Sequence, residues 1–149
     1  MSFSLDEIER YSRQILLPEW GAAGQERLRA ARIEVAGAGL CAEMAVRYLG
    51  AAGVGALRVA TEEQAALVRA LNPHVAIEAG AAQLPTAADA AAAVQGEGFR
   101  IVTPATDANS HAAGAALALE ALKALLGLPY RATAAVTVAE ASPARGAGG

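Results

Sequence analysis

An α/β fold with a mainly parallel sheet and helices on both faces is what this sequence predicts, on two observations. First, a strand, a glycine turn, a helix and a second strand follow one another over residues 32–60, about the 30 residues of one βαβ unit. Second, strand and helix patterns keep alternating from there to a long helix at 112–126, which Gly127 and Pro129 close in the usual C-terminal order. A length of 149 residues suits one domain, since a chain of about 150 residues buries roughly 70% of its unfolded surface.

In chain order, residues 5–17 carry apolar side chains at 5, 8, 11, 15 and 16, a helical spacing that Pro18 ends. Residues 21–31 read as a short second helix, and together the two form an N-terminal helical extension over residues 1–31. A Rossmann-like three-layer domain is expected over 32–139. Its first strand, 32–36, runs into Gly37-Ala38-Gly39, and a helix over 41–49 is stopped by glycines at 50, 53 and 55. The second strand is 57–60. Thr61 then precedes Glu62 and Glu63 as an N-cap precedes an acidic first turn, opening a helix that Asn72-Pro73 breaks. A third strand is predicted at 75–79, a helix at 86–94, a strand at 99–103 and a last strand at 132–138. Residues 140–149 are too rich in glycine and alanine for either period and are expected to be a flexible tail.

Composition excludes several classes of function. With 54% hydrophobic and 18% charged residues the chain is too apolar for disorder, yet no run approaches the roughly 18 apolar residues of a membrane span. Twelve basic and fifteen acidic residues leave a net charge of −3, which argues against nucleic acid as a partner. The start lacks the basic and apolar regions of a secretory signal, so a cytoplasmic protein is expected, without a membrane role. One cysteine excludes an internal disulfide, and His74 and His111 have no ligand-type neighbours, so no zinc is expected.

The glycine turn is the first candidate site. Gly37 and Gly39 lie between a strand and a helix, where small residues let the backbone approach a phosphate and the helix N-terminus offers free amides. Ala42 satisfies the third position of the dinucleotide fingerprint. Against phosphate stand bulky Leu40 and Cys41, and Glu43, whose charge falls in the first helical turn. Ala60 and Thr61 occupy the end of the second strand, where a ribose-binding carboxylate would stand. These residues leave two readings open, a nucleotide cradle or a tight turn with nothing bound.

Five blocks carry a family resemblance. Arg10-Tyr11-Ser12-Arg13-Gln14-Ile15-Leu16-Leu17-Pro18-Glu19-Trp20-Gly21 is the most specific. It is followed in order by Val35-Ala36-Gly37-Ala38-Gly39, Leu71-Asn72-Pro73-His74, Ala105-Thr106-Asp107 and Ala118-Leu119-Glu120-Ala121-Leu122-Lys123. In these blocks the chain resembles the ThiF/MoeB/HesA family, bacterial relatives of ubiquitin-activating enzymes.

The resemblance implies a Rossmann-like domain that binds ATP and Mg²⁺ and adenylates the C-terminal Gly-Gly of a ubiquitin-like or sulfur-carrier protein. It implies a dimer in which an arginine reaches the partner's ATP, a role that falls on Arg13. Asp107 matches the aspartate that holds Mg²⁺ and the phosphates. Arg13 can equally be a surface ion-pair residue, and Asp107, with Asn109 and Ser110, can be a helix cap.

Several family segments have no counterpart here. The Asn-Leu-x-Arg-Gln block with its phosphate-binding lysine is missing between Thr61 and Leu71, and so is the stretch with the catalytic cysteine and the CxxC half of a zinc site. Adenylyl transfer needs several positive groups on the triphosphate. A degenerate, non-catalytic member is therefore expected, a homodimer or the inactive half of a heterodimer with a catalytic paralogue, with ATP and Mg²⁺ binding weak or lost. The apolar N-terminal helices are expected to supply the dimer face. A minimal adenylyltransferase using Gly37, Gly39 and Asp107 is the alternative.

Overall fold

The computed structural model describes residues 2–78, 92–94, 98–102, 110–129 and 136–138. Its elements are α1 (Leu5–Ile15), α2 (Gly21–Ala30), β1 (Arg32–Ala36), α3 (Leu40–Ala52), β2 (Ala56–Val59), α4 (Glu62–Leu71), β3 (Ala76–Ile77), β4 (Ala92–Val94), β5 (Gly98–Val102), α5 (Ser110–Leu125) and β6 (Val136–Val138). Four strands form one sheet in the order β3-β2-β1-β5, every pair parallel, with Ile33 beside Leu57 and Val35 between Val59 and Ile101. The α/β class and parallel sheet expected from the sequence are therefore present. β4 and β6 form a second, parallel pair.

This strand order has a mechanical consequence. The chain steps outward from β1 to β2 to β3, then returns to the other side of β1 at β5. β1 and β5 are the neighbouring strands at which the strand order reverses, and open α/β sheets bind ligands beyond the C-terminal ends of the strands at such a point.

One side of β1 and β2 is apolar. Ile33, Val35, Leu57 and Val59 join Val46 and Leu49 of α3, Val68 of α4 and Leu117 of α5 in a single core cluster. Alanines and a glycine let the helices approach closely. A Cβ added at Gly114 of α5 would lie 2.4 Å from the Cys41 carbonyl oxygen of α3, so only glycine fits there. The alternate positions are charged: Arg58 pairs with Glu34 at 3.4 Å and Glu78 at 3.5 Å, and Arg32 with Glu78 at 2.6 Å.

Most boundaries shift by one or two residues, and three elements depart further from expectation. The third helix continues through Gly50, which packs at ordinary contact distance from Leu71 and Val68, and stops at Gly53, which takes the left-handed C-cap conformation at φ 88°. The third strand keeps only Ala76–Ile77. The helix expected over 86–94 is corrected at its end, where Ala92–Val94 is a strand. A run of alanines has no amphipathic stripe to hold a helix against the core, and here its backbone pairs with Val136–Val138 instead. Residues 86–91, 132–135 and the tail from 140 lie outside the described residues.

α1 is attached differently from the other helices. Ser4 and Glu7 close a capping box at its start, and Arg29 of α2 pairs with Glu7 at 3.4 Å while lying 5.3 Å from the Phe3 ring centroid. Arg10 donates to the Leu71 carbonyl at 3.0 Å, Asn72 donates to the Tyr11 hydroxyl at 2.7 Å, and His74 pairs with Asp6. Tyr11 is the large apolar anchor of this docking, 3% exposed.

Candidate functional site

The site follows from where β1 and β2 end. Gly37 leaves β1 with φ 139°, in the positive region that side chains other than glycine rarely adopt. Gly39 is the N-cap of α3 in ordinary extended conformation, with open space where a Cβ would stand. No side chain caps α3, so its first-turn amides keep the partial positive charge of a helix N-terminus.

Beside this turn lies a cavity of about 320 Å³ lined by Ala38, Glu43, Thr61, Glu63, Gln64 and Leu67. Its two charged lining residues are carboxylates. Of the arginines nearest in sequence, Arg47 pairs with the lining residue Glu43 at 3.5 Å along α3, and Arg69 pairs with Glu62 at 2.6 Å on the exposed side of α4. Among the described residues no lysine or arginine lines the cavity.

Gln64 organises this corner. Its Nε2 donates to the Gly37 carbonyl at 2.9 Å, while its Oε1 accepts from the Ala60 and Thr61 amides at 3.0 and 3.3 Å. The Thr61 hydroxyl accepts from the Gln64 amide at 3.2 Å, closing a capping box. One buried side chain thus ties the glycine turn of β1 to the end of β2 and the start of α4. Thr61, at the position of a ribose-binding carboxylate, is committed to capping.

Of the candidate residues, the structure brings Gly37 and Gly39 to the rim of this corner. Arg13 is exposed in the last turn of α1 and does not line the cavity. Asp107 lies outside the described residues, in the stretch after β5. Cys41 is buried and its thiol is pushed up by that burial, which keeps it protonated and inert at neutral pH. Gln64 is not among the residues the sequence singles out; the signal for it is the Thr-x-x-Gln spacing from 61 to 64.

Residues 11–67 match the family model described as the ThiF family. The chain is similar to a SAMP-activating enzyme E1 of Haloferax volcanii, 37% identical over 52% of this chain and 39% of that protein. It is similar to a sulfur carrier protein adenylyltransferase of Thermus thermophilus, 46% identical over 40% of this chain and 22% of that one. A crystal structure of selenomethionine PaaA resembles 56% of this chain and 36% of its own at 22% identity, with a TM-score of 0.48. The chain spans well under two thirds of the length of either curated relative.

Proposed function

The chain is related to the ThiF/MoeB/HesA family through residues 11–67, and on that premise we propose that it is a non-catalytic binding or dimerisation subunit of the adenylyltransferase type. The observation that supports this is the charge of the cavity beside the glycine turn. Adenylyl transfer builds negative charge on a triphosphate and requires cations to meet it. Glu43 and Glu63 offer the opposite sign, and Gln64 spends its amide on holding the turn closed. The protein that such a subunit serves would be a ubiquitin-like or sulfur-carrier protein, or a catalytic relative that activates one, in the cytoplasm.

The competing reading, a minimal adenylyltransferase, draws on the open space at Gly39 and the uncapped start of α3, both suited to a phosphate. In it Gly37 and Gly39 would cradle the phosphates, Asp107 would hold Mg²⁺, and Arg13 would contact a partner's phosphates. Calorimetry of the full chain with ATP and Mg²⁺ separates the two. The subunit reading expects no binding heat from folded protein. Micromolar binding that Asp107→Ala abolishes would overturn it in favour of the enzyme.

A further inference from the structure

A second cavity lies where the end of α1, the start of α2, α3 and α5 meet, away from the glycine turn. It holds about 370 Å³, within the range of small-molecule pockets, which begins at about 300 Å³. Gln14, Trp20, Tyr48, Ala115, Leu119 and Leu122 line it, together with two alanines of α3. None of these residues is charged, in contrast to the carboxylates of the other cavity. The indole of Trp20 is a fixed wall. Its Nε1 donates to Gln25 Oε1 at 2.9 Å, and Gln25 donates in turn to the Ala52 carbonyl at 2.9 Å. Gly24 makes room for this ring, since a Cβ there would lie 3.2 Å from Trp20 Cδ1. Tyr48 and Leu119, 47% and 52% exposed, form the open side.

One polar atom in this apolar lining is unpaired. The Gln14 carbonyl oxygen, Oε1, is buried and accepts no hydrogen bond among the described residues. Buried acceptors are nearly always paired, so an unpaired one on a cavity wall calls for a donor supplied by a ligand. The final torsion of a glutamine is soft, and a turn about it aims the oxygen into the cavity. An ion entering here would give up its hydration without meeting a counter-charge, so the ligand is neutral. Aromatic side chains on the wall favour a flat ring, which stacks on them. We propose that this cavity binds a small neutral aromatic molecule, of one or two fused rings, whose N–H or O–H donates to Gln14 while its ring packs against Trp20, Tyr48 and Leu119. The small side chain of Ala115 leaves the space that the ring fills. Gln14 thereby gains a binding role that is independent of the glycine turn.

Indole and its oxygen isostere benzofuran, which lacks the N–H, test this on the full chain. Saturation-transfer NMR titrations should give indole a dissociation constant on the order of 1 mM. Benzofuran should bind about tenfold more weakly, the difference that a hydrogen bond to a buried acceptor makes. Gln14→Met keeps the length of the side chain and removes the acceptor, and should bring the two probes to the same affinity. Ala115→Leu fills the cavity and should abolish binding of both, with circular dichroism checking that each variant folds. Indole that does not saturate, equal affinity for the two probes in the parent chain, an indole preference that persists in Gln14→Met, or binding that survives Ala115→Leu would each overturn the proposal. If another protein chain covers this groove instead, Leu119→Arg lowers the sedimenting mass while indole fails to saturate, and that outcome overturns it too. Calorimetry with ATP reads the other cavity, so this proposal and the subunit reading fail separately.

Discussion

Gln64 shows how one side chain can close a site. A glutamine carries one acceptor oxygen and two donor hydrogens, and here it uses both ends inside a buried corner, 4% exposed. Gln64→Ala removes half of the capping box and strands the Gly37 carbonyl and the Ala60 amide without partners. The expected loss is about 2–3 kcal/mol of folding stability, read as a lower urea midpoint at unchanged slope. A loss below about 0.5 kcal/mol would mean that solvent replaces these bonds and that the turn is not held by Gln64. Asn72 works in the same manner on the far side of α3, donating to Gly50 and Tyr11 while accepting from the His74 amide. Thr61 is legible as a cap because its partner amide is local. The bond from Gln64 to Gly37 spans 27 residues and depends on how β1 and β2 lie in register, which no local pattern encodes.

At the scale of the element, α1 is the helix whose periodicity conveys least about its packing. Its apolar residues do recur at helical spacing, and Tyr11 is buried, but Leu5, Ile8 and Leu16 face outward. Sequence periodicity finds the stripe; whether the protein's own core or another molecule covers it depends on the polar contacts that dock the opposite side. Those contacts make α1 sensitive to acid. Hydrogen bonding from the Ser4 amide, with help from its hydroxyl and the Arg29 charge, holds Glu7 below the usual carboxylate range, and a hydrogen bond from His74 does the same for Asp6. A carboxylate with a lowered folded-state pKa stabilises the fold above its unfolded value of about 4.3 and ceases to do so as pH falls through the folded value. Glu7→Gln should therefore be less stable than the parent at pH 7, with the gap closing as pH is lowered below about 4.3. Denaturant titrations over that range, followed by the fluorescence of Trp20, check it. A gap constant with pH would show that Glu7 acts through its shape and not its charge.

For the whole molecule, the alternation of strands and helices, the parallel sheet and the glycine turn were legible because each rests on local period and punctuation. The strand at Ala92–Val94 was not, since an alanine-rich run carries no period and its structure comes from a partner more than 40 residues away. The electrostatic character of the cavity was legible only in part: Glu43 could be placed beside the turn from spacing, whereas Glu63 arrives there through the fold of α4. The same architecture divides the molecule by stability. α2, α3, α5, β1 and β2 share a core whose largest side chains, Leu28, Ile33, Leu49, Leu57 and Leu117, are essentially inaccessible. α1 contributes Tyr11 to burial but is otherwise held by hydrogen bonds, each contributing only about 0.5–1.5 kcal/mol net, and by partly exposed ion pairs, which add little. Helices attached in this way open without unfolding the rest. Native-state hydrogen exchange on dilute protein should find the α1 amides exchanging through a local opening that costs less than global unfolding, while those of α3 and β1 exchange only through global unfolding. Equal protection of α1 and α3 at low concentration would show instead that Tyr11 and its bond to Asn72 couple the first helix fully to the core.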